Sequence, residues 1–490
     1  MKTIAPLLLD SYKLGHADQY PEGTTLVYSN LTPRSLRLFY PTLPDGSYDD
    51  QIVVCGIHSA ICELQQLWND AFFKLPWSAV RTAVAQRVAP FVGPNGFDLE
   101  RLHQLHHLGY LPLRINALPE GAVSPAGVPV LTMHNTAAEF YWLTNYLETY
   151  LSAELWKPMT VATIARAYRN ILDGYAERTG VSRDFVDVQA HDFSVRGMSG
   201  MHDAARAGLG HLLFFTGTDN IPAVDYAARY YDLTDTALIG CSVPATEHSV
   251  MQVGGNTTEF DTFLRLITEV YPSGIVSIVS DTWDLWKVLG EYTKQLSTVI
   301  RNRQPDENGM AKVVFRPDSG DPVDVICGTL EQKGAVEMLW DVFGGTITRT
   351  GHRLLHPCVG LIYGDGITPH RASTICQKLA ECGFASGNVV FGVGSYTYQH
   401  VTRDTLGFAV KSTYAEVNGR SIDLFKEPKT DVTREKVSAR GRLRVVKEDG
   451  RYKLEQRCAD FDAGELRPIF LDGRTSQAPS LLRARRRARG

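Results

Sequence analysis

From residue 185 onward, apolar and polar positions follow two alternating rhythms. Short β-rich runs recur: FVDVQ from Phe185, LLFF from Leu212, ALIGC from Ala237, IVSIVS from Ile275, KVVFR from Lys312, VGLIYG from Val359, NVVFGV from Asn388 and FAVKST from Phe408. Between them, segments such as FLRLITEVY, TWDLWKVLGEYTKQLSTVI and STICQKLAEC bring apolar residues back at helical spacing. Strand then helix, repeated about eight times, predicts an α/β chain whose core is (β/α) barrel-like, regular or irregular.

Residues before 160 follow another pattern. A helical hairpin is expected around IHSAICELQQLWNDAFF, then turn-rich strands through LPLRINALPEGAVSPAGVPVLTMHN, then two long helices from EFYWLTNYLETYLSAELW to ATIARAYRNIL. After Tyr414 short strands return, among them RLRVVKEDGRYKLEQ with a turn at Asp449 and Gly450. The expected organisation is a flanking α+β domain at 1–160 and a barrel-like domain at 161–413. Strands at 414–475 rejoin the flank, so both chain ends build it, and a basic, mobile tail, RARRRARG, closes the chain within 476–490.

Composition narrows the class. With 490 residues, 44% of them hydrophobic, the chain can bury a large core without staples. Its 50 Lys+Arg against 54 Asp+Glu give a net charge of -4, which offers no whole-protein case for nucleic acid. Eight scattered cysteines form no C-x-x-C pair, which speaks against zinc and fits a reducing cytoplasm. MKTIAPLLLD is too short an apolar patch for a secretory signal, and no run reaches the roughly 18 apolar residues of a membrane span. No membrane partner is therefore expected.

The chemistry stands where the runs end. HDF at 191–193, TGTD at 216–219, SVPATEH at 242–248, SDTWD at 280–284, RPDSGD at 316–321, GDG at 364–366 and GVGSY at 392–396 each follow a run. In a parallel barrel such exits share one rim, where active sites form. His248 is a candidate acid, base or nucleophile, with Asp281 and Asp318 as carboxylates able to hold one ring nitrogen. Asp219 and Asp365, with Gly364, Gly366, Gly392 and Gly394, suit a ligand bearing sugar hydroxyls and phosphate. There is no Walker loop, and GVGSYT lacks the third glycine of a dinucleotide fingerprint. The histidines of these exits form no H-x-H or H-x-x-x-H pair, so a dedicated zinc hydrolase site is disfavoured, while magnesium carried by a polyphosphate remains compatible. In RPDSGDP, Asp321 and Pro322 read as the cap and first residue of the next helix.

LLLDSYKLGHADQYP, HDFSVRGMSG, FTGTDN, GCSVPATEHS, VSDTWD, RPDSGDP, GDG and VTRD, in this order, resemble the nicotinamide phosphoribosyltransferases, relatives of the nicotinate and quinolinate enzymes. The resemblance implies a homodimer with shared active sites. Such enzymes join nicotinamide to 5-phosphoribosyl 1-pyrophosphate with magnesium and couple the transfer to ATP. It further implies that Phe193 stacks on the pyridine while Tyr12 of the other subunit covers the opposite face. Asp219 would accept the amide N–H, and it would repel nicotinate by roughly 4 kcal/mol for charges about 4 Å apart at an effective dielectric of 20. Ser242 and Ser277 would flank the base, and Arg196 and Arg316 would lie near base and phosphate.

For the sugar and pyrophosphate, the resemblance assigns Asp318, Gly364, Asp365 and Ser395 to the ribose and phosphate pocket, with Asp10 reaching a ribose hydroxyl from the neighbouring subunit. Arg34, Arg403 and Lys411 would contact the pyrophosphate, some of them across the dimer. His248 would be phosphorylated by ATP and oriented by Asp281. Two departures stand out: GVGSY replaces a glycine-rich GSGGG, and Cys241 stands where a tyrosine is familiar.

Overall fold

The computed structural model describes residues 3–36, 38–39, 48–93, 97–236, 238–426, 439–460 and 463–490. Five parallel strands form one sheet, in the order Ala190–Asp192, Val389–Val393, Val359–Tyr363, Ala311–Arg316 and Gly274–Val279. Gly274–Val279, Val359–Tyr363 and Val389–Val393 are short runs rich in β-branched residues and largely buried on both faces, as a sheet covered by helices requires.

Two irregular staves close this sheet on itself. Single parallel bridges join Asp192 to Thr218, Gly217 to Cys241 and Ala245 to Ser277. Backbone bonds carry them: Asp192 N donates to Gly217 O at 3.1 Å, Thr218 N to Cys241 O at 2.9 Å, Cys241 N to Thr216 O at 2.7 Å and Ser277 N to Pro244 O at 2.8 Å. The core is thus an α/β barrel of irregular kind, with five strands and two staves in place of eight equal repeats.

Four runs read as barrel strands are placed differently. FVDVQ lies in a helix, Arg183–Gln189, because Ser182 caps it by accepting from Asp184 N, and the strand begins only at Ala190. LLFF is the end of the helix Met201–Leu212 and the turn beyond it, and of the ALIGC run residues 238–241 contribute one bridge, while Ala237 lies outside the described residues. FAVKST belongs to the strand Phe408–Val417, which pairs antiparallel with Thr24–Pro33 in a second sheet. That sheet takes strands from both chain ends, in the order Arg420–Asp423, Phe408–Val417, Thr24–Pro33, Leu131–Asn135, Leu113–Ala117, Arg467–Leu471 and Arg474–Thr475. The hairpin Leu443–Glu448/Arg451–Gln456 turns at Asp449 and Gly450, both at positive φ, as an Asp-Gly turn demands.

One helix of 32 residues, Glu148–Thr179, replaces the two long helices expected, because Pro158 sits inside it without ending it. The missing N–H is tolerated where the ring packs: a Cβ on Gly56 would lie 2.9 Å from Pro158 Cγ, and one on Gly210 would lie 2.6 Å from Pro158 O. Around IHSAICELQQLWNDAFF a single helix, Ile57–Trp68, runs on into a π turn, Asn69–Phe73, rather than forming a hairpin. One continuous hydrophobic core joins the two sheets through the long helix. Among the described residues no helix is long and apolar enough to cross a membrane.

The basic C-terminal segment is not a mobile tail. It forms a helix, Leu481–Arg489, capped by Ser480, and buries Leu481, Ala484, Arg485 and Ala488. Arg485, Arg487 and Arg489 donate to backbone carbonyls, and Arg489 also to Asp187, while Arg483 and Arg486 are exposed; Gly121 at φ +78 lets the helix backbone approach, since a Cβ there would fall 2.0 Å from Ala484 O. Charge density alone pointed to solvent; the apolar stripe Leu481, Ala484, Ala488 decided otherwise.

Candidate active site

The strand exits surround an open cleft of about 260 Å³, walled by Phe193, Arg196, Asp219, Arg316, Asp318, Gly364, Asp365, Gly366, Gly394, Ser395 and Tyr396. Phe193 follows the strand Ala190–Asp192, and its N–H donates to Val393 O at 3.0 Å, which ties it to the next strand. Its ring lies where two neighbouring strands lack side chains. A Cβ on Gly392 would meet Phe193 Cδ2 at 2.5 Å, and one on Gly364 would meet Asp318 Oδ1 at 2.6 Å. Glycine is therefore required here by close approach rather than by backbone angle.

Asp219 stands at the end of the first irregular stave. Its Oδ1 receives His191 Nε2 at 3.0 Å and Ser242 Oγ at 2.5 Å. Burial alone would raise this carboxyl, but the bonds from His191 and Ser242, with the charges of His191 and Arg316, outweigh it and hold Asp219 below the usual range. It is thus a carboxylate with one oxygen engaged and a nearby aromatic ring, an arrangement suited to accepting an amide N–H beside a flat base.

The opposite side of the cleft belongs to regular strands. Arg316 ends the strand Ala311–Arg316, is tied by Ser280 Oγ to its N–H at 3.2 Å, and keeps a buried Nε without a hydrogen-bond partner. An unmet guanidinium donor on a cleft wall calls for an anion. Asp281 receives Asp318 N at 2.8 Å and Ser319 Oγ at 2.6 Å on one oxygen, while its Oδ1 is buried and unpartnered. His248 opens a short helix, and its Nε2 lies 3.9 Å from both Asp281 Oδ1 and Asp318 Oδ2. The three groups are together, though neither carboxylate is within hydrogen-bonding range of the imidazole. Asp321 caps the helix Pro322–Cys327 through Val323 N at 2.9 Å, as its position before proline implied.

Ser242 reaches the site through Asp219, whereas Ser277 is buried at the junction with the second stave and does not line the cleft. Asp10, Tyr12, Arg34, Arg403 and Lys411 do not line it either. Asp10 accepts from Thr149 Oγ1 at 2.8 Å, and Tyr12 is 59% exposed. Arg34 Nε donates to Gly407 O at 2.9 Å, and burial, then the charges of Arg34 and Lys426, pulls Lys411 below its ordinary value. His191, Ser280 and Ser319 supply site hydrogen bonds, and Gly366 and Tyr396 complete the wall. All five stand in or beside exit segments singled out in the sequence, but residue order does not say which of them point inward.

Fold and cleft together define an α/β barrel with a polar cleft, walled by Arg196, Arg316 and three carboxylates, at its strand exits. The nicotinate phosphoribosyltransferase (NAPRTase) family model matches residues 188–465. The chain is 52% identical over 489 residues to the nicotinamide phosphoribosyltransferase of Acinetobacter baylyi, covering 98% of this chain and 96% of that one. It is 34% identical over 449 residues to the one from Xanthomonas campestris pv. campestris, with 91% and 88% covered. Among solved structures, nicotinate-nucleotide pyrophosphorylase from Pyrococcus furiosus superposes with a TM-score of 0.56 at 16% identity, covering 99% of this chain and 94% of that one. Human nicotinic acid phosphoribosyltransferase gives 0.51 at 16% identity, with 98% and 93% covered. This chain belongs to the nicotinate phosphoribosyltransferase family, and is a pentosyl-transferring enzyme.

Proposed function

We propose that the enzyme transfers the 5-phosphoribosyl group of 5-phosphoribosyl 1-pyrophosphate to nicotinamide in NAD salvage, giving nicotinamide mononucleotide and pyrophosphate, with ATP hydrolysis coupled through His248. The observation that carries the choice of base is Asp219, a carboxylate beside Phe193 with Oδ1 engaged by His191 and Ser242. It accepts an amide N–H and repels a carboxylate. The names of the relatives point the same way.

In this reading the pyridine nitrogen forms its bond to the anomeric carbon while the bond to pyrophosphate breaks, and the leaving group takes the electron pair. Positive charge builds on the ribose ring, and Asp318 and Asp365 on the cleft wall offset it. Arg196 and Arg316 hold phosphate, with Gly364 and Gly394 leaving room for backbone contact and Ser395 offering its hydroxyl. Asp318 and Asp365 on the cleft wall are the carboxylates that would hold a magnesium ion bound with the pyrophosphate, and such an ion would supply charge neutralisation of the leaving group.

For the coupling, the carboxylates of Asp281 and Asp318 face Nε2 of His248, which leaves Nδ1 to attack. Nδ1 bonds to the γ-phosphorus of ATP, the bridging P–O bond breaks, and ADP leaves with the electron pair; water later releases phosphate. A homodimer is part of the proposal. The exposed Tyr12, Asp10 and the cations Arg34, Arg403 and Lys411 serve a partner's cleft rather than their own. Free cysteines at all eight positions fit a cytoplasmic setting.

The test is to incubate the protein with nicotinamide, 5-phosphoribosyl 1-pyrophosphate and magnesium, with and without ATP, and to quantify the mononucleotide and ADP. Product in both cases, increased by ATP, is expected. No product in either overturns the reading, and product without any ADP overturns the coupling alone.

A further inference from the structure

The basic C-terminal helix has no place in the chemistry so far, yet it spends its cations on one part of the barrel. Arg485 Nε donates to Leu212 O at 2.7 Å, Nη1 to Leu238 O at 2.6 Å and Nη2 to Ile239 O. Arg489 Nε donates to Leu213 O at 3.3 Å and Nη2 to Phe214 O at 2.8 Å, and its Nη1 reaches Asp187 Oδ1 at 3.1 Å. These carbonyls belong to the two segments that lead into the irregular staves. Residues 212–214 precede the stave that ends in Asp219, and residues 238–239 precede the second, which carries Ser242 and runs on to Ala245.

The staves need such support because their ladder is short. Thr216–Thr218 and Cys241 exchange two bonds with each other; beyond that the first stave bonds Asp192 and, at its entry, Asp187 O through Thr216 N at 2.7 Å, with His211 Nε2 against Gly217 O at 2.9 Å, while the second bonds Ser277. Five regular strands instead carry continuous ladders, and they hold Arg316, Asp318 and Gly364. Carbonyls at the end of the helix Met201–Leu212 and in the turn after it lack ladder partners, and the guanidinium forks satisfy them where a sheet would have done so. Beyond that entry the same staves are tied to each other by Ser242, whose hydroxyl donates to Asp219.

We propose that Arg485 and Arg489 are positioning residues: by clamping both staves at their entry, the C-terminal helix fixes Asp219 and Ser242 against Phe193, and so sets recognition of the base without touching it. The proposal rests on the assignment of the pyridine amide to Asp219 made above. It divides the cleft into a clamped base end and a phosphate end held by the sheet.

Arg485→Met and Arg489→Met test it, with Arg487→Met as the control. Arg487 donates to Glu120 O, away from the staves, so its loss loosens the helix without releasing them. Steady-state transfer is measured with nicotinamide, nicotinate and 5-phosphoribosyl 1-pyrophosphate varied in turn, alongside amide hydrogen exchange at Thr218 and Cys241. In the two clamp variants the nicotinamide KM rises about tenfold, the preference over nicotinate falls, and the phosphoribosyl pyrophosphate KM stays within about twofold. Exchange at both amides quickens, while Arg487→Met leaves KM values and exchange in place.

Equal loss for both substrates, an unchanged nicotinamide KM, or the same response in Arg487→Met overturns the proposal. If Arg485→Met does not fold, Arg489→Met, whose parent side chain is 24% exposed, is judged by the same criteria. Failure of both to fold also overturns it, since the helix is then only core. No mononucleotide from the unaltered enzyme sinks the base-pocket reading instead, and the exchange measurement still judges the clamp.

Discussion

Phe193 and Asp219 show how much a single residue's place depends on what is absent beside it. Phe193 lies against the strand Val389–Val393 because position 392 has no side chain. In Gly392→Ala the new carbon falls 2.5 Å from the ring, too close for any real contact, so the ring must move. The expected cost is about 1–3 kcal/mol of stability from overpacking, seen in urea melts, with the nicotinamide KM raised about tenfold. An unchanged KM would mean that Phe193 does not meet the base. For Asp219, the side chain is 43% exposed, so water screens its charge. Asp219→Asn should therefore raise nicotinate relative to nicotinamide by about tenfold to a hundredfold in kcat/KM, short of the full Coulomb figure. A ratio that does not move removes Asp219 from base selection. The His-Asp-Phe and Thr-Gly-Thr-Asp segments announced these residues in the sequence, but the hydrogen bond from His191 to Asp219 depends on the strand Ala190–Asp192 meeting the first stave, which no local pattern encodes.

At the scale of elements, the regular strands were legible and the irregular staves were not. IVSIVS, KVVFR, VGLIYG and NVVFGV are bounded apolar runs of strand length, and each became a strand. FVDVQ has the same composition, but Ser182 supplies a helix cap and outweighs β-propensity. Two long helices were expected where one runs through Pro158, because the packing of Pro158 against Gly56 and Gly210 is tertiary. A second tertiary feature joins four helices: Glu63, on Ile57–Trp68, and Glu154, on the long helix, face His202 and Arg206, on Met201–Leu212, with Tyr226 and Tyr230 of Ile221–Tyr230 beside them. Though two carboxylates and an imidazole can bind metal, Arg206 and a charged His202 already balance them. The carboxylates of Glu154 and then Glu63, 3.8 and 3.5 Å from Nε2, push His202 up to about 9 from 6.5, against burial and Arg206. The folded state thus holds the proton more tightly, so the contribution is complete below pH 6.5 and fades as pH rises through about 9. His202→Gln should lower Tm at pH 6, on the order of 1 °C for so exposed a group, and leave it unchanged at pH 10. An equal loss at both pH values would assign His202 a role in packing instead.

Across the whole molecule, the sequence suggested a barrel beside a flank, and the structure joins them through one apolar core from Ile4 to Ala488. The long helix and the C-terminal helix both cross that boundary, the latter through Arg487 to Glu120 O and Arg485 to the staves. Cysteines report on whether the two parts open together. Cys55 sits in the flank beside Glu120, and Cys376 lies in the helix Pro369–Glu381 behind the barrel; both are fully buried, and burial pushes both thiols far above the usual range. Cys382, at the end of the same helix, is exposed. A thiol reagent followed by peptide mass spectrometry should label Cys382 at once in the native protein and leave Cys55 and Cys376 untouched. As urea is raised, those two should become reactive over one shared transition, because neither can be reached without opening the common core. Labelling of Cys376 at lower urea than Cys55, or the reverse, would show two units that merely touch. The single core also explains why the tail was hard to read: Arg485, Arg487 and Arg489 are basic in sequence but have carbonyl partners that come from residues 120 to 239, brought together only when the whole chain has folded.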